Sequence, residues 1–143
     1  MTQDHSAIQQ GILFLCVANS ARSQMAEGLA RSLAPTNVPI FSAGSAPERV
    51  RPEAVRVMQE MGVDISAHWS KAVADVPVTR VRTVVTLCDE EVCPDLPNAV
   101  ERLHWPVQDP AAAAGDEAAV LGSFRAVRDE LLGRLHTLFV VGA

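Results

Sequence analysis

Residues 11–17, GILFLCV, are apolar almost without a break. A strand with one wet face alternates polar and apolar residues, whereas this run needs cover on both faces, as strands of a parallel sheet have. VRTVVTLC, residues 81–88, is β-branched and reads the same way, ending at Cys88. Helical patterning fills the space between them. SARSQMAEGLARSLA sets Met25, Leu29 and Leu33 on one stripe, with Ala26 and Ala30 beside it. RPEAVRVMQEMG has Pro52 in its first turn, Val55, Met58 and Met61 on a face, and Gly62 at the C-cap position. VPIFSAG is a second short strand running into a glycine turn, and ERLHWPV is a fourth strand closed by Pro106. From Glu117 to about Val141, Val120, Phe124, Val127, Leu131, Leu135 and Leu138 recur at helical spacing and predict a helix packed on the sheet. The expected architecture is α/β: a single-domain three-layer sandwich, with a four-stranded parallel sheet and helices on both faces.

A chain of 143 residues suits one such domain, here expected over 11–143 behind a flexible N-terminal tail of residues 1–10. The net charge of −5 argues against nucleic acid or an anionic membrane as partner. No apolar run reaches the length of a membrane span, and MTQDHSAIQQ lacks the basic and apolar regions of a secretory signal. The expected location is therefore the cytoplasm, where thiols stay reduced. Three cysteines, an odd number, fit a structural disulfide framework poorly and leave catalysis, redox chemistry and metal binding open.

Cys16 and Cys88 both fall at carboxyl ends of expected strands, where open parallel sheets bind ligands. Between Cys16 and Arg22 lie Val17, Ala18, Asn19, Ser20 and Ala21, none large or charged. Such a loop can turn its N–H groups inward as an anion nest, and the helix that follows adds the positive end of its dipole. Asn19 tolerates the left-handed conformation this needs. Arg22 offers a planar fork to two oxygens of a tetrahedral oxyanion. The same field lowers a thiol's pKa to roughly 3.5–7.5, which makes Cys16 a thiolate nucleophile, with the Ser23 hydroxyl placed to hydrogen-bond it. The plainer alternative is a buried cysteine with an unrelated surface arginine. The strand before the loop and the helix after it favour the functional reading.

CVANSARS resembles the Cys-x5-Arg-Ser/Thr phosphate loop of the low-molecular-weight protein tyrosine phosphatase fold. Together with FSAG, VTLC and HWPVQDPA, in that order, it is similar to one branch of that fold, the thioredoxin-coupled arsenate reductases. The resemblance covers nearly the whole chain from about Gly11. It implies reduction of arsenate to arsenite by a three-cysteine relay, with no bound cofactor. Cys16 attacks arsenate, Cys88 attacks Cys16, and Cys93 then attacks Cys88 to leave a Cys88–Cys93 disulfide for thioredoxin. It also implies that Arg22 and the loop 17–21 bind the oxyanion, with phosphate or sulfate competing. Ser23 supports the thiolate, and Asp109, in an Asp-Pro step, is the general acid. A monomer is expected.

Some enzymes of this branch hold potassium beside the loop. The matching positions are Asn19, Glu27 and Ser42, but Lys71 stands where an aspartate ligand would be, which puts potassium dependence in question. Ala21 replaces a further cysteine found in some relatives. A disulfide needs Cα atoms within about 7 Å, so cysteines five apart require the CDEEVC segment to fold back during turnover. The alternative activity is that of a phosphatase, which shares the cradle. Against it, the chain has no tyrosine, and the resemblance suggests that phosphatases of this fold flank the loop with aromatics. Trp69 and Trp105 remain candidates to line a pocket, and weak phosphatase side activity is expected. A zinc site built on the cysteines lacks the second closely spaced ligand pair, and no histidine sits in a metal-binding spacing, so no metal is assigned.

Overall fold

In the computed structural model, residues 10–88 and 101–141 are described. They form β1 (Gly11–Cys16), α1 (Arg22–Leu33), β2 (Ile40–Gly44), α2 (Pro52–Gln59), β3 (Val81–Thr86), β4 (Glu101–His104) and α3 (Glu117–Val141). The four strands make one parallel sheet in the order β2-β1-β3-β4, which puts β1 in the interior. All six residues of β1 are buried, as their unbroken apolar run requires. One sheet face, with Phe14 and Val85, packs under α1 and α3 through Met25, Leu29, Phe124 and Leu131, and α2 joins the same core through Val57 and Met58. The other face, with Leu13, Leu15 and Val84, lies against Val76 and two single-turn 3-10 helices, Val73–Asp75 and Val78–Arg80. Helical segments thus cover both faces. Among the described residues, no helix is long and apolar enough to cross a membrane.

Boundaries differ from expectation where hydrogen bonding outlasts the strand. β3 stops at Thr86, two residues before Cys88, although Leu87 N–H still donates to Leu15 O at 2.9 Å. β4 stops at His104, yet Trp105 and Val107 donate to Thr86 O and Leu87 O on either side of Pro106. Alternate residues of an edge strand face its neighbour, so a proline between two such donors costs that ladder no bond. The buried face of α2 is also rotated from its expected position: Ala54, Val57 and Met58 are buried, Val55 is half-buried and Met61 is exposed. The helix ends at Gln59, and Gly62 takes a positive φ of 75° while Val63 N–H donates to Met58 O, so Met61 lies in the closing turn. Arg128 of α3 reaches across to hold this end, donating to Val57 O and to Glu60, both at 2.8 Å.

The expected tail lies, except for Gln10, outside the described residues. Cys93 lies outside them too.

Candidate active site

Cys16 is the last residue of β1, and its loop turns directly into α1. Asn19 is the sole non-glycine residue with positive φ among those described, at 49°, and it is fully buried. The loop's carbonyls all point away from its centre. Val17 O, Ala18 O and Ser20 O accept from the N–H groups of Ala46, Glu48 and Arg51 at 2.8–3.0 Å, and Ala21 O accepts from Met25 N–H. Asn19 O accepts from the Ser70 hydroxyl at 2.8 Å. A peptide with its carbonyl held outward presents its N–H inward, so the turn is an anion nest. At the start of α1, Ala21 provides no side-chain cap, which leaves the helix N-terminus to add to that field.

The floor of the loop is a chain of buried polar groups. Asn19 Nδ2 donates to Ser23 Oγ at 2.7 Å, and Ser23 Oγ lies 2.8 Å from Cys16 Sγ. Gln24 Nε2 donates to Asn19 Oδ1 and to Trp69 O, and Gln24 Oε1 accepts from His68 Nδ1 at 2.9 Å. Burial, outweighing the nearby Glu27 carboxylate, holds His68 below the usual imidazole range, which agrees with a neutral ring donating from Nδ1.

Cys16 and Cys88 are both free and both 6% exposed. The neighbouring Cys88 side chain is the largest influence lowering the Cys16 pKa, and the Ser23 hydroxyl and N–H and the Arg22 charge add to it, outweighing burial and bringing the pKa to about 6. Cys88 moves the other way: the Cys16 side chain and burial push its pKa above the ordinary thiol range. Near neutral pH the pair is therefore a thiolate at Cys16 and a thiol at Cys88. Arg22 Nη1 donates to Val107 O at 3.2 Å, and Nη2 lies 3.9 Å from Asp109 Oδ2. Asp109 caps the 3-10 turn Pro110–Ala112 by accepting from Ala111 N–H, and stands at the loop's rim with its side chain 46% exposed.

Residues 11–141 match the family described as Low molecular weight phosphotyrosine protein phosphatase. The chain belongs to that family. Within it, the chain is 41% identical over 133 residues to an arsenate reductase of Halalkalibacterium halodurans, covering 92% of this chain and 96% of the relative. It is also 41% identical over 122 residues to an arsenate reductase of Staphylococcus aureus, strain Newman, covering 84% and 88%. Among solved structures, it is similar to an arsenate reductase in the phosphate binding state, with a TM-score of 0.80 and 29% identity over 94% of this chain and 99% of that one. A Corynebacterium glutamicum thioredoxin-dependent arsenate reductase aligns with a TM-score of 0.71 and 27% identity, over 93% of this chain and 65% of that one.

The four positions tied to a potassium site lie together, but their donors do not fit the ion. Asn19 Oδ1 already accepts from Gln24 Nε2 and from Lys71 N–H. The Ser42 hydroxyl donates to Glu27 Oε1. Lys71 Nζ stands 3.6 Å from Glu27 Oε1, and Arg31 Nη2 stands 2.9 Å from Glu27 Oε2. A buried carboxylate with two cationic partners has its charge met by the protein itself. Among the described residues, no three His, Cys, Asp or Glu side chains cluster as metal ligands.

Sequence reasoning brought Cys16, Val17–Ala21, Arg22, Ser23, Cys88 and Asp109 to one end of the sheet, and the structure brings these residues together. It missed Gln24, whose place on α1 beside the apolar stripe gave no signal, and it missed the role of Gly44. That glycine has no unusual φ. A Cβ on it would lie 2.4 Å from Val17 O, so its need is space against the loop. Trp69, 59% exposed, lines an open cleft with Arg49, Val50 and His68. Trp105 packs partly against the core and lines a second open cleft with Arg134, Thr137 and Leu138, with Arg134 over its ring.

Proposed function

We propose that this protein reduces arsenate to arsenite by a thiol relay and is regenerated by thioredoxin. The observation that carries the reading is the second thiol, Cys88, buried like the nucleophile and held at the same end of the sheet, where Leu87 N–H donates to Leu15 O at 2.9 Å. A phosphatase needs only water to clear its cysteine adduct. Reduction of As(V) needs two electrons, and a second buried thiol at the same end of the sheet can supply one of the two sulfurs that give them up. Kinship with arsenate reductases supports the same conclusion.

The proposed sequence balances. The Cys16 thiolate attacks arsenic, and one arsenate oxygen leaves as water, protonated with help from Asp109. Arg22 and the loop N–H groups hold the remaining oxygens. Cys88 then attacks the Cys16 sulfur. The S–As bond breaks with its electron pair going to arsenic, the Cys88 proton passes to the departing arsenite, and each sulfur is oxidised by one electron in a Cys16–Cys88 disulfide. Cys93 attacks Cys88, Cys16 leaves as thiolate, and thioredoxin reduces the Cys88–Cys93 disulfide. Phosphate and sulfate compete for the loop. The relay runs as a monomer in a reducing compartment, the cytoplasm.

The test is NADPH oxidation by thioredoxin and thioredoxin reductase on adding arsenate, run beside p-nitrophenyl phosphate hydrolysis. Arsenate-dependent oxidation is expected, lost in Cys88→Ser, with Cys93→Ala stalled as a Cys16–Cys88 disulfide visible by mass. Brisk hydrolysis without oxidation would make the protein a phosphatase. Because Lys71 already meets the Glu27 charge, turnover is expected to be unchanged when potassium is replaced by sodium. A several-fold loss in that exchange would restore a potassium site.

A further inference from the structure

We propose that Gln24 is a positioning residue for the nucleophile: its buried amide clamps the left-handed residue Asn19 and carries a fixed hydrogen-bond direction from the main chain at Trp69 to the Cys16 sulfur. This role precedes any choice between arsenate reduction and phosphate-ester hydrolysis, since both begin at the Cys16 thiolate.

Two main-chain groups set the direction. Trp69 O can only accept, and Gln24 Nε2 lies 3.0 Å from it. The same nitrogen lies 2.9 Å from Asn19 Oδ1 and 3.1 Å from Asn19 O. An amide turned the other way would set its oxygen against these three oxygens at once, so the nitrogen faces them and Oε1 faces His68. Lys71 N–H can only donate, and it lies 2.8 Å from Asn19 Oδ1. The Asn19 amide is therefore fixed as well, with Nδ2 donating to Ser23 Oγ at 2.7 Å. A hydroxyl has one hydrogen. Ser23, receiving from Asn19, turns that hydrogen to Cys16 Sγ, 2.8 Å away.

Burial gives the chain its force. Asn19, Ser23 and Gln24 are fully buried, so water does not compete for these bonds, and a group left without its partner there pays for its desolvation. Gln24 holds both oxygens of Asn19, main-chain and side-chain, and so clamps the one described non-glycine residue with positive φ. The turn of the loop and the hydrogen bond to the sulfur thus depend on a side chain that reaches Cys16 through Asn19 and Ser23. At the far end, Gln24 Oε1 needs a hydrogen on His68 Nδ1. A neutral ring then presents its lone pair at Nε2, 3.9 Å from Glu27 Oε2, so His68 gives its hydrogen to the chain instead of to the carboxylate.

One test needs no substitution. In nitrogen–proton correlation spectra of the wild-type protein at slightly alkaline pH, neutral His68 should carry its hydrogen on Nδ1. A hydrogen on Nε2 would turn the Gln24 nitrogen toward His68, reverse the chain and overturn the proposal. The second test is the pH dependence of iodoacetamide alkylation at Cys16, read by peptide mass, in wild type, Gln24→Met, Ser23→Ala and the double variant. Methionine keeps the length of the side chain and leaves every charged group in place, Arg22 and Cys88 facing Cys16 and Glu27, Arg31, Lys71 and Asp64 facing His68. In wild type, Cys16 should reach half its maximal rate near pH 6. Ser23→Ala should raise that midpoint by about one unit, and Gln24→Met by about half a unit, roughly a threefold loss of thiolate on the acid side. Adding Gln24→Met to Ser23→Ala should move it little further, because the route to the sulfur is already cut. An unmoved midpoint in Gln24→Met would overturn the proposal. So would additive shifts in the double variant, since Gln24 would then act by packing and not through Ser23. None of these readings uses arsenate, so a failed reductase assay would leave them standing.

Discussion

Replacing Cys16 with serine is expected to reduce arsenate-dependent NADPH oxidation to background while tightening the binding of phosphate. The loss of turnover should be on the order of 10^6-fold, the scale at which removing one member of a nucleophilic unit leaves only binding. A serine hydroxyl at this position meets the same donors, but they cannot bring an alcohol near its ionisation at neutral pH. Binding should move in the opposite direction. The nest is built from peptide groups whose carbonyls are fastened to residues 46–51 and Ser70, and none of those bonds involves the Cys16 side chain. What the substitution removes is a thiolate charge that repels any anion in the loop. The wild-type disadvantage should therefore fade below about pH 6, where Cys16 takes up its proton, and be largest above it. Calorimetric titration with phosphate at acid and neutral pH checks this. Equal affinities at neutral pH would mean that Cys16 is not charged there, and residual turnover well above background would mean another nucleophile.

The parts of this site visible in the sequence were those whose chemistry is local. A cysteine, five small residues and an arginine at a strand-to-helix junction specify a nest within one stretch of chain, and Asn19 marks where the backbone turns left-handed. β1 and β3 were legible for a similar reason, since burial on both faces writes itself as an apolar run. The face of α2 was not. Val55, Met58 and Met61 fit a helical stripe, but the helix closes before Met61, and the Ala54–Val57–Met58 face turns toward Gly28 of α1, where Met58 lies close. Which of two adjacent stripes is buried depends on the neighbouring helix, not on spacing. Gln24 was hidden because its four partners come from Asn19, His68 and Trp69, the last two more than forty residues away. Cys88 could be placed at the same end of the sheet as Cys16 because both close strands, and the register that sets Leu15 opposite Thr86 fixes how the two strand ends align.

Gly44 is where the fold and the chemistry of the site meet, and Gly44→Ala is expected to cut kcat/KM about 100-fold without unfolding the protein. β2 pairs Gly44 with Cys16, so any side chain there points into the wall of the loop. The new Cβ would lie 2.4 Å from Val17 O, 3.0 Å from Val17 C and 2.9 Å from Asn19 N. All three are backbone atoms, which cannot swing aside as the end of a long side chain can. Relief requires the loop to move away from β2 as a unit, carrying its N–H groups out of register with the oxyanion. A misplacement of about 1 Å in such a site is enough for a loss of that size. The fold should survive, because the core face of the sheet and its three helices are not involved. Gly62→Ala provides the contrast. It imposes a φ of 75° on alanine in open space, so it should cost about 1 kcal/mol of stability and leave turnover unchanged. Thermal melts, phosphate titration and steady-state kinetics on the two variants separate strain in the scaffold from distortion of the cradle. Wild-type phosphate affinity and turnover in Gly44→Ala would show that the loop tolerates the displacement, and the nest as described would then not be what holds the substrate.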